Sequence, residues 1–360
     1  MSKFVNLLKE TSMAKERQPW LDYVRFFSIF LVILFHTPPR MPMFDDAVIL
    51  NLRIPVFFCI SGFLYSFDKW SGFKQYARHR AKQILIPYFT FFILFYALWL
   101  LIGRRIGGVE DQRADVLLPV WEFFLGDPKI VLKPFWYIAC LFTMQIIYYG
   151  VERLVPRKWV FTACMALSFL AFCVLEITPQ NSVFTHWWRP WNLGNALLFL
   201  PFYALGNSFK PLLSQLSFAN AKTTILYATL GAISMIAMVK IAHIQEGDYP
   251  LYSLLRVPAG LMVIPVYFGL AKWLSQRYGK VNVIQFVVIS GTVYLGMQNY
   301  CISIAKLLLN KFLYDGVIDD HAWLKFVIAL LVMVAIYPFA WLIDRYCPWF
   351  IGKGKLLDKY

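Results

Sequence analysis

A guanidinium and an imidazole share one apolar stretch near the start of the chain, LDYVRFFSIFLVILFHT, Leu21 to Thr37. They belong to Arg25 and His36. Histidine, with an unperturbed pKa near 6.5, is the side chain best suited to take a proton from a hydroxyl at neutral pH. An apolar surround disfavours its cation and so helps keep it a base. Arginine stays charged and is a poor base; it suits an anion or a polarised carbonyl. At about 100° per residue, the eleven steps between them make about three turns plus 20°, so both side chains lie on one helical face, about 16 Å apart along the axis. Simpler roles compete. Arg25, paired with Asp22, would snorkel to the membrane interface. His36 would be an interfacial histidine just before Thr37 and the Pro38–Pro39 pair.

Holding such a pair requires helices in hydrocarbon. Of 360 residues, 59% are hydrophobic and 15% charged, against about 25% charged in a soluble domain. The apolar residues fall in blocks of about twenty, the length that crosses a bilayer core. About ten spans are expected, near 20–38, 48–67, 84–102, 134–150, 159–176, 193–209, 223–242, 251–270, 281–305 and 323–344. The fold class is therefore an all-α integral membrane protein, a bundle of about ten transmembrane helices over residues 20–345. A short segment, 1–19, precedes it and a tail, 346–360, follows. The first twenty residues are polar and basic, without an apolar core, so no cleaved signal peptide is expected.

The formal charge of +15 would suggest nucleic acid in a soluble protein. Here the basic residues sit in short loops between spans, and membrane orientation accounts for them. Lys69, Lys74, Arg78, Arg80, Lys82 and Arg153 fall on the side of both termini, while Asp45, Glu122, Asp127 and Asp320 fall on the other. The basic side is expected to be cytoplasmic, which puts both termini inside and requires an even number of spans. The long connection from Gly103 to Lys133 contains ADVLLPVWEFFLGD, a candidate interfacial helix with Trp121 as its anchor. The six cysteines, in or beside apolar runs, form no CxxC and show no metal spacing, so no metal site is expected.

Further candidates lie elsewhere. Ser61 and Gly62 sit in an apolar helix, where close packing explains them as well as a site does. THWWRPWN, Thr185 to Asn192, falls in an outer loop. Trp188 and Arg189, with His186, would stack on and orient a sugar, although tryptophan also gathers at membrane interfaces. Arg256 is a second intramembrane arginine, with Glu176 or a carbonyl as its partner. Arg53 is placed to line a cavity from the second helix.

The chain resembles the membrane-bound acyltransferase 3 family. The first-helix pattern of that family reads here as Leu21, Asp22, Arg25 and His36. RIPVFFCISGFLYS, Arg53 to Ser66, is similar to its second helix. RHRAKQILIPYF, Arg78 to Phe89, is similar to its basic loop. PFWYIACLF, Pro134 to Phe142, carries its tryptophan–aromatic–aliphatic motif at Trp136, Tyr137 and Leu141. FLPFYALGN, Phe199 to Asn207, is similar to the helix ending in glycine, here Gly206. One segment departs from the pattern. SGTVYLGMQNYC, Ser290 to Cys301, lacks the late histidine of many members and offers Gln298, Asn299 or Cys301 in its place.

The resemblance implies transfer of an acyl group, expected to be acetyl, from cytoplasmic acyl-CoA to a hydroxyl of a carbohydrate or lipid-linked glycan, in a bacterial inner membrane. No bound cofactor is implied, since acetyl-CoA or another acyl-CoA is the donor substrate. No nucleic acid is expected. His36 and Arg25 are then the catalytic candidates, His36 as base or transient acyl carrier. Arg78, Arg80 and Lys82 would hold CoA phosphates. Arg53, Ser61, Trp136, Trp188 and Arg189 are the substrate-contact candidates. The rival reading is a transporter or flippase, which would move substrate without consuming CoA.

Overall fold

The computed structural model describes residues 18–41, 44–45, 50–106, 114–177, 190–216, part of 222–240, and 249–353. Among these the secondary structure is helical. The longer helices are α1 (Pro19–His36), α2 (Leu50–Leu64), α3 (Phe73–Leu98), α4 (Trp136–Leu154), α5 (Val160–Ile177), α6 (Leu193–Leu198), α7 (Leu200–Ser208), α8 (Tyr249–Tyr278), α9 (Asn282–Ile289), α10 (Gly291–Phe312) and α11 (Leu324–Tyr346).

Among the described residues, five helical stretches are long and apolar enough to cross a bilayer: Pro19–His36, Phe73–Gly103, Lys133–Leu154, Arg157–Val174 and Leu324–Tyr346. A sixth arises if α9 and α10, bent by 83° about Ser290, count as one broken span. This supports a helical membrane bundle. Of the roughly ten spans expected, the seventh, 223–242, lies largely outside the described residues, and other differences are local. The second is an apolar helix of only 15 residues, α2. The sixth is split at Phe199 into α6 and α7, where Pro201 follows the break. A short helix forms within the stretch read as interfacial, Leu118–Phe124, with Trp121 exposed and Phe123 buried.

α1 organises the interior. It opens on Pro19, whose missing N–H costs nothing in a first turn. It closes at Thr37, whose N–H reaches Ile33 O at 3.0 Å, before two prolines that cannot continue it. Its first half packs Trp20, Tyr23 and Val24 into an aromatic cluster built on α2, α4, α7 and α8. Its second half packs Ile29, Ile33 and Leu34 into another, built on α3, α10 and α11. The helix thus runs from one core to the other, carrying Arg25 near its start and His36 at its end.

α2 and α7 touch backbone to backbone. A Cβ at Gly62 would overlap Tyr203 O, and one at Gly206 would overlap Cys59 O. Small residues permit such approach in membrane bundles. Asn207 then fastens three helices together. Its amide donates to Gly62 O and Tyr65 O, at 3.3 and 3.1 Å, and its carbonyl accepts from Tyr148 Oη at 2.9 Å. Packing therefore accounts for Gly62, and for Gly206 in the glycine-ended helix.

Candidate active site

His36 ends α1 beside the first turns of α2. Its Nε2 lies 3.5 Å from Arg53 Nη1. A guanidinium has donors only, so an attractive contact requires the lone pair on Nε2 and the proton on Nδ1. Arg53 is itself buried, with its guanidinium carbon 3.6 Å above the Phe35 ring. The Phe35 ring in turn stands edge-on to the imidazole at 5.3 Å. Arg53 is therefore held by a neighbour of the histidine it faces.

The two line a small cavity with Phe57, Trp136, Tyr137 and Leu295. Its volume is ≈ 20 Å³, about that needed for one water. Trp136 and Tyr137 reach it because α4 starts from a tight turn. Leu132 adopts φ 62, and a 3-10 turn over Lys133–Phe135 follows. A left-handed leucine is a costly conformation, and here it swings the start of α4 toward His36.

On the other side of Tyr137 stands Ser61, whose side chain is within hydrogen-bonding reach of the Tyr137 hydroxyl. Ser61 Oγ also donates to Phe57 O at 2.9 Å. The charge of Arg25 reaches Tyr137 as well. His36 and Tyr137 thus line one cavity, with Ser61 beyond Tyr137 on α2.

A lysine that the sequence reading passed over fixes the chain just after His36. Lys325 is fully buried at the start of α11. Its Nζ donates to Thr37 O at 2.6 Å, Pro39 O at 3.1 Å and Asp45 Oδ2 at 3.1 Å. Asp45 Oδ2 also accepts from Met41 N at 2.9 Å. Only one feature signalled it: a lysine at the head of a strongly apolar helix, opposite a loop with two aspartates.

The basic candidates of the third helix separate. Arg78 and Lys82, four residues apart, share a face of α3 and line a shallow depression of ≈ 400 Å³. Arg80 turns the other way. It lies over the rings of Tyr76 and Trp70 at 5.4 and 5.8 Å and donates to Gln83 Oε1 at 3.1 Å. This is the end of the molecule opposite His36, where Arg153 donates to Trp70 O at 3.2 Å. Trp188, Arg189 and His186 lie outside the described residues, as do the side chains of Arg256 and Glu176. The end of the same stretch is described. Trp191 and Asn192 are both left-handed, with φ 53 and 52, and Trp191 N donates to Leu125 O at 2.6 Å. In the segment without the late histidine, Gln298 is buried and Asn299 faces a separate cavity between α3 and α10.

A half-buried imidazole, a fixed guanidinium and a small cavity within apolar helices define a membrane protein with an internal polar site. Residues 18–345 match the family model described as an acyltransferase domain, acyltransferase 3. The chain belongs to that family and is a membrane acyltransferase. No curated protein and no solved structure matches it.

Proposed function

We propose that the chain moves an acyl group, acetyl in the first instance, from acyl-CoA at the Arg78–Lys82 end to a glycan hydroxyl at the His36 end. The observation that carries this reading is the 3.5 Å contact between His36 Nε2 and Arg53 in a small cavity among apolar helices. The basic end is cytoplasmic on this reading, both termini are inside, the span count is even, and the membrane is a bacterial inner membrane.

Two orders of events use the same groups. In the first, His36 Nε2 takes the proton of the acceptor hydroxyl, whose oxygen attacks the thioester carbonyl. The C–S bond breaks, and the imidazolium returns the proton to the CoA thiolate. In the second, Nε2 attacks the thioester itself, the C–S bond breaks and CoA leaves as the thiolate. The acceptor hydroxyl then attacks the acyl-imidazole carbonyl, the C–N bond breaks, and the hydroxyl proton passes to the thiolate by way of the freed imidazole. In either, Arg53 leaves the imidazole lone pair and turns its donors to the developing oxyanion. Arg25, on the path from the basic end, binds the donor, and Ser61 and Trp136 shape the passage.

The test uses the purified protein in nanodiscs, radiolabelled acetyl-CoA and a glycan extract of the host. Label should reach glycan with the wild type and fail to with His36→Ala and Arg25→Ala. Full transfer by His36→Ala at normal protein levels would exclude the base and carrier roles. Movement of glycan without consumption of acyl-CoA would favour transport.

A further inference from the structure

A second cavity, larger than the one at His36, opens between α3 and α10. It measures ≈ 550 Å³, within the range of about 300–1,000 Å³ typical of small-molecule sites. Its walls carry two aromatic rings, Trp99 and Tyr300, and four polar side chains, Lys129, Lys133, Asn299 and Ser303. Among the described residues, Lys133, Asn299 and Ser303 make no hydrogen bond or ion pair with protein, so their polar groups are available to a ligand. Lys129 is shared with Asp127 at 3.5 Å. Among the described residues no carboxylate lines the cavity.

The two cavities stand back to back. Leu295 lines the first and Gly296 the second; Pro134 lines the first and Lys133 the second. The charge of Lys133 reaches His36. Both walls are locally irregular. Trp99–Gly103 is wound as a π-helix, a rare form that gathers at functional sites. Leu132, which also lines the cavity, is the left-handed residue that sets Lys133 in place. Gly296 lies where a Cβ would meet the Phe91 ring.

We infer that this cavity is the acceptor subsite, and that the acceptor is an anionic glycan whose carboxylate or phosphate is met by Lys133. This rests on the acyl-transfer reading above. An aromatic side chain, Tyr300, with an amide and a hydroxyl suits a sugar ring, which offers apolar C–H faces and hydroxyl edges. An uncompensated lysine between that ring and His36 selects for negative charge near the hydroxyl to be acylated. A sugar acid and the phosphate of a lipid carrier present the same chemistry to Lys133.

The experiment sorts the labelled product of the nanodisc reaction. Label should be retained by an anion exchanger. Label that also partitions into organic solvent marks a lipid-carrier phosphate, and label that stays aqueous marks a sugar acid. Lys133→Gln should raise the acceptor KM about tenfold, the loss of one charge-assisted contact, and Ser303→Trp, which fills the cavity, should raise it at least as much, while the acetyl-CoA KM holds. Label passing through the exchanger with neutral glycans, or an unchanged acceptor KM in Ser303→Trp, overturns the inference. A wild type that moves no label defeats the transfer reading instead. Binding then decides the subsite alone. Preference for tetragalacturonate over maltotetraose, lost in Lys133→Gln, supports it; equal binding, or no binding of either, overturns it.

Discussion

Lys325 Nζ lies 3.1 Å from Asp45 Oδ2, and both side chains are almost wholly removed from solvent. The pair joins the head of α11 to the loop that follows His36, across 280 residues of chain. Removing one member of a buried ion pair strands the other charge and costs about 3–5 kcal/mol. Lys325→Met should therefore lower the thermal midpoint in detergent, and Asp45→Leu added to it should restore much of the loss. Because Lys325 also holds Thr37 O, residual transfer should show a reduced kcat with the acetyl-CoA KM unchanged.

Arg53 is predicted to act on turnover rather than on donor binding. Arg53→Ala should lower kcat about 100-fold or more, the usual cost of losing an oxyanion donor. Arg53→Lys should not recover it, because an ammonium lacks the planar fork and stacks poorly on Phe35. Steady-state kinetics on the two variants checks this, and a kcat restored by lysine would limit Arg53 to charge alone.

Arg78 and Arg80 should separate experimentally although they are two residues apart. Arg78→Ala and Lys82→Ala should raise the acetyl-CoA KM and leave the thermal midpoint in place. Arg80→Ala should lower the midpoint, since it removes a cation from over Tyr76 and Trp70, an effect of about 0.5–2 kcal/mol. Paired melting and kinetic measurements would show the two patterns.

Gly62→Ala and Gly206→Ala test the α2–α7 contact. Each methyl must push a carbonyl aside, and overpacking of this kind costs about 1–3 kcal/mol. Because the contact is backbone to backbone, a smaller neighbouring side chain should not rescue either variant. Loss of monodisperse protein on size exclusion, or a lower midpoint, is the expected result.

The sequence made the first helix legible because its signal is one-dimensional. Arg25 and His36 stand out against hydrocarbon, and a 100° step puts them on one face whatever surrounds them. Arg53 was visible as a charge in a span, yet nothing local reveals that it stacks on Phe35 or faces His36. Lys325 was marked only as a lysine at the head of an apolar helix opposite a loop with two aspartates, since its partners lie on that loop, 280 and more residues earlier. Hydropathy counted apolar residues through Ser290 and Phe199 without sensing the backbone turns there, so two expected spans are helix pairs. The glycines of α2 and α7 signalled close packing but not with whom. Of the basic run after Trp70, spacing alone separates Arg80 from Arg78 and Lys82, and charge counting hid that difference.

The cavity at His36 holds ≈ 20 Å³, and Phe57, Trp136 and Leu295 crowd its walls. A protein that takes one substrate from inside the cell and another from outside risks joining the two compartments by a file of water. Such a file would conduct protons and discharge the electrochemical gradient that the membrane stores. A space too small for a second water, walled largely by apolar side chains, resists wetting and breaks the file. On the proposed transfer from inside to outside, the tight resting site would serve as electrical insulation, and widening it by Phe57→Ala or Leu295→Ala would be read as a proton leak in sealed vesicles.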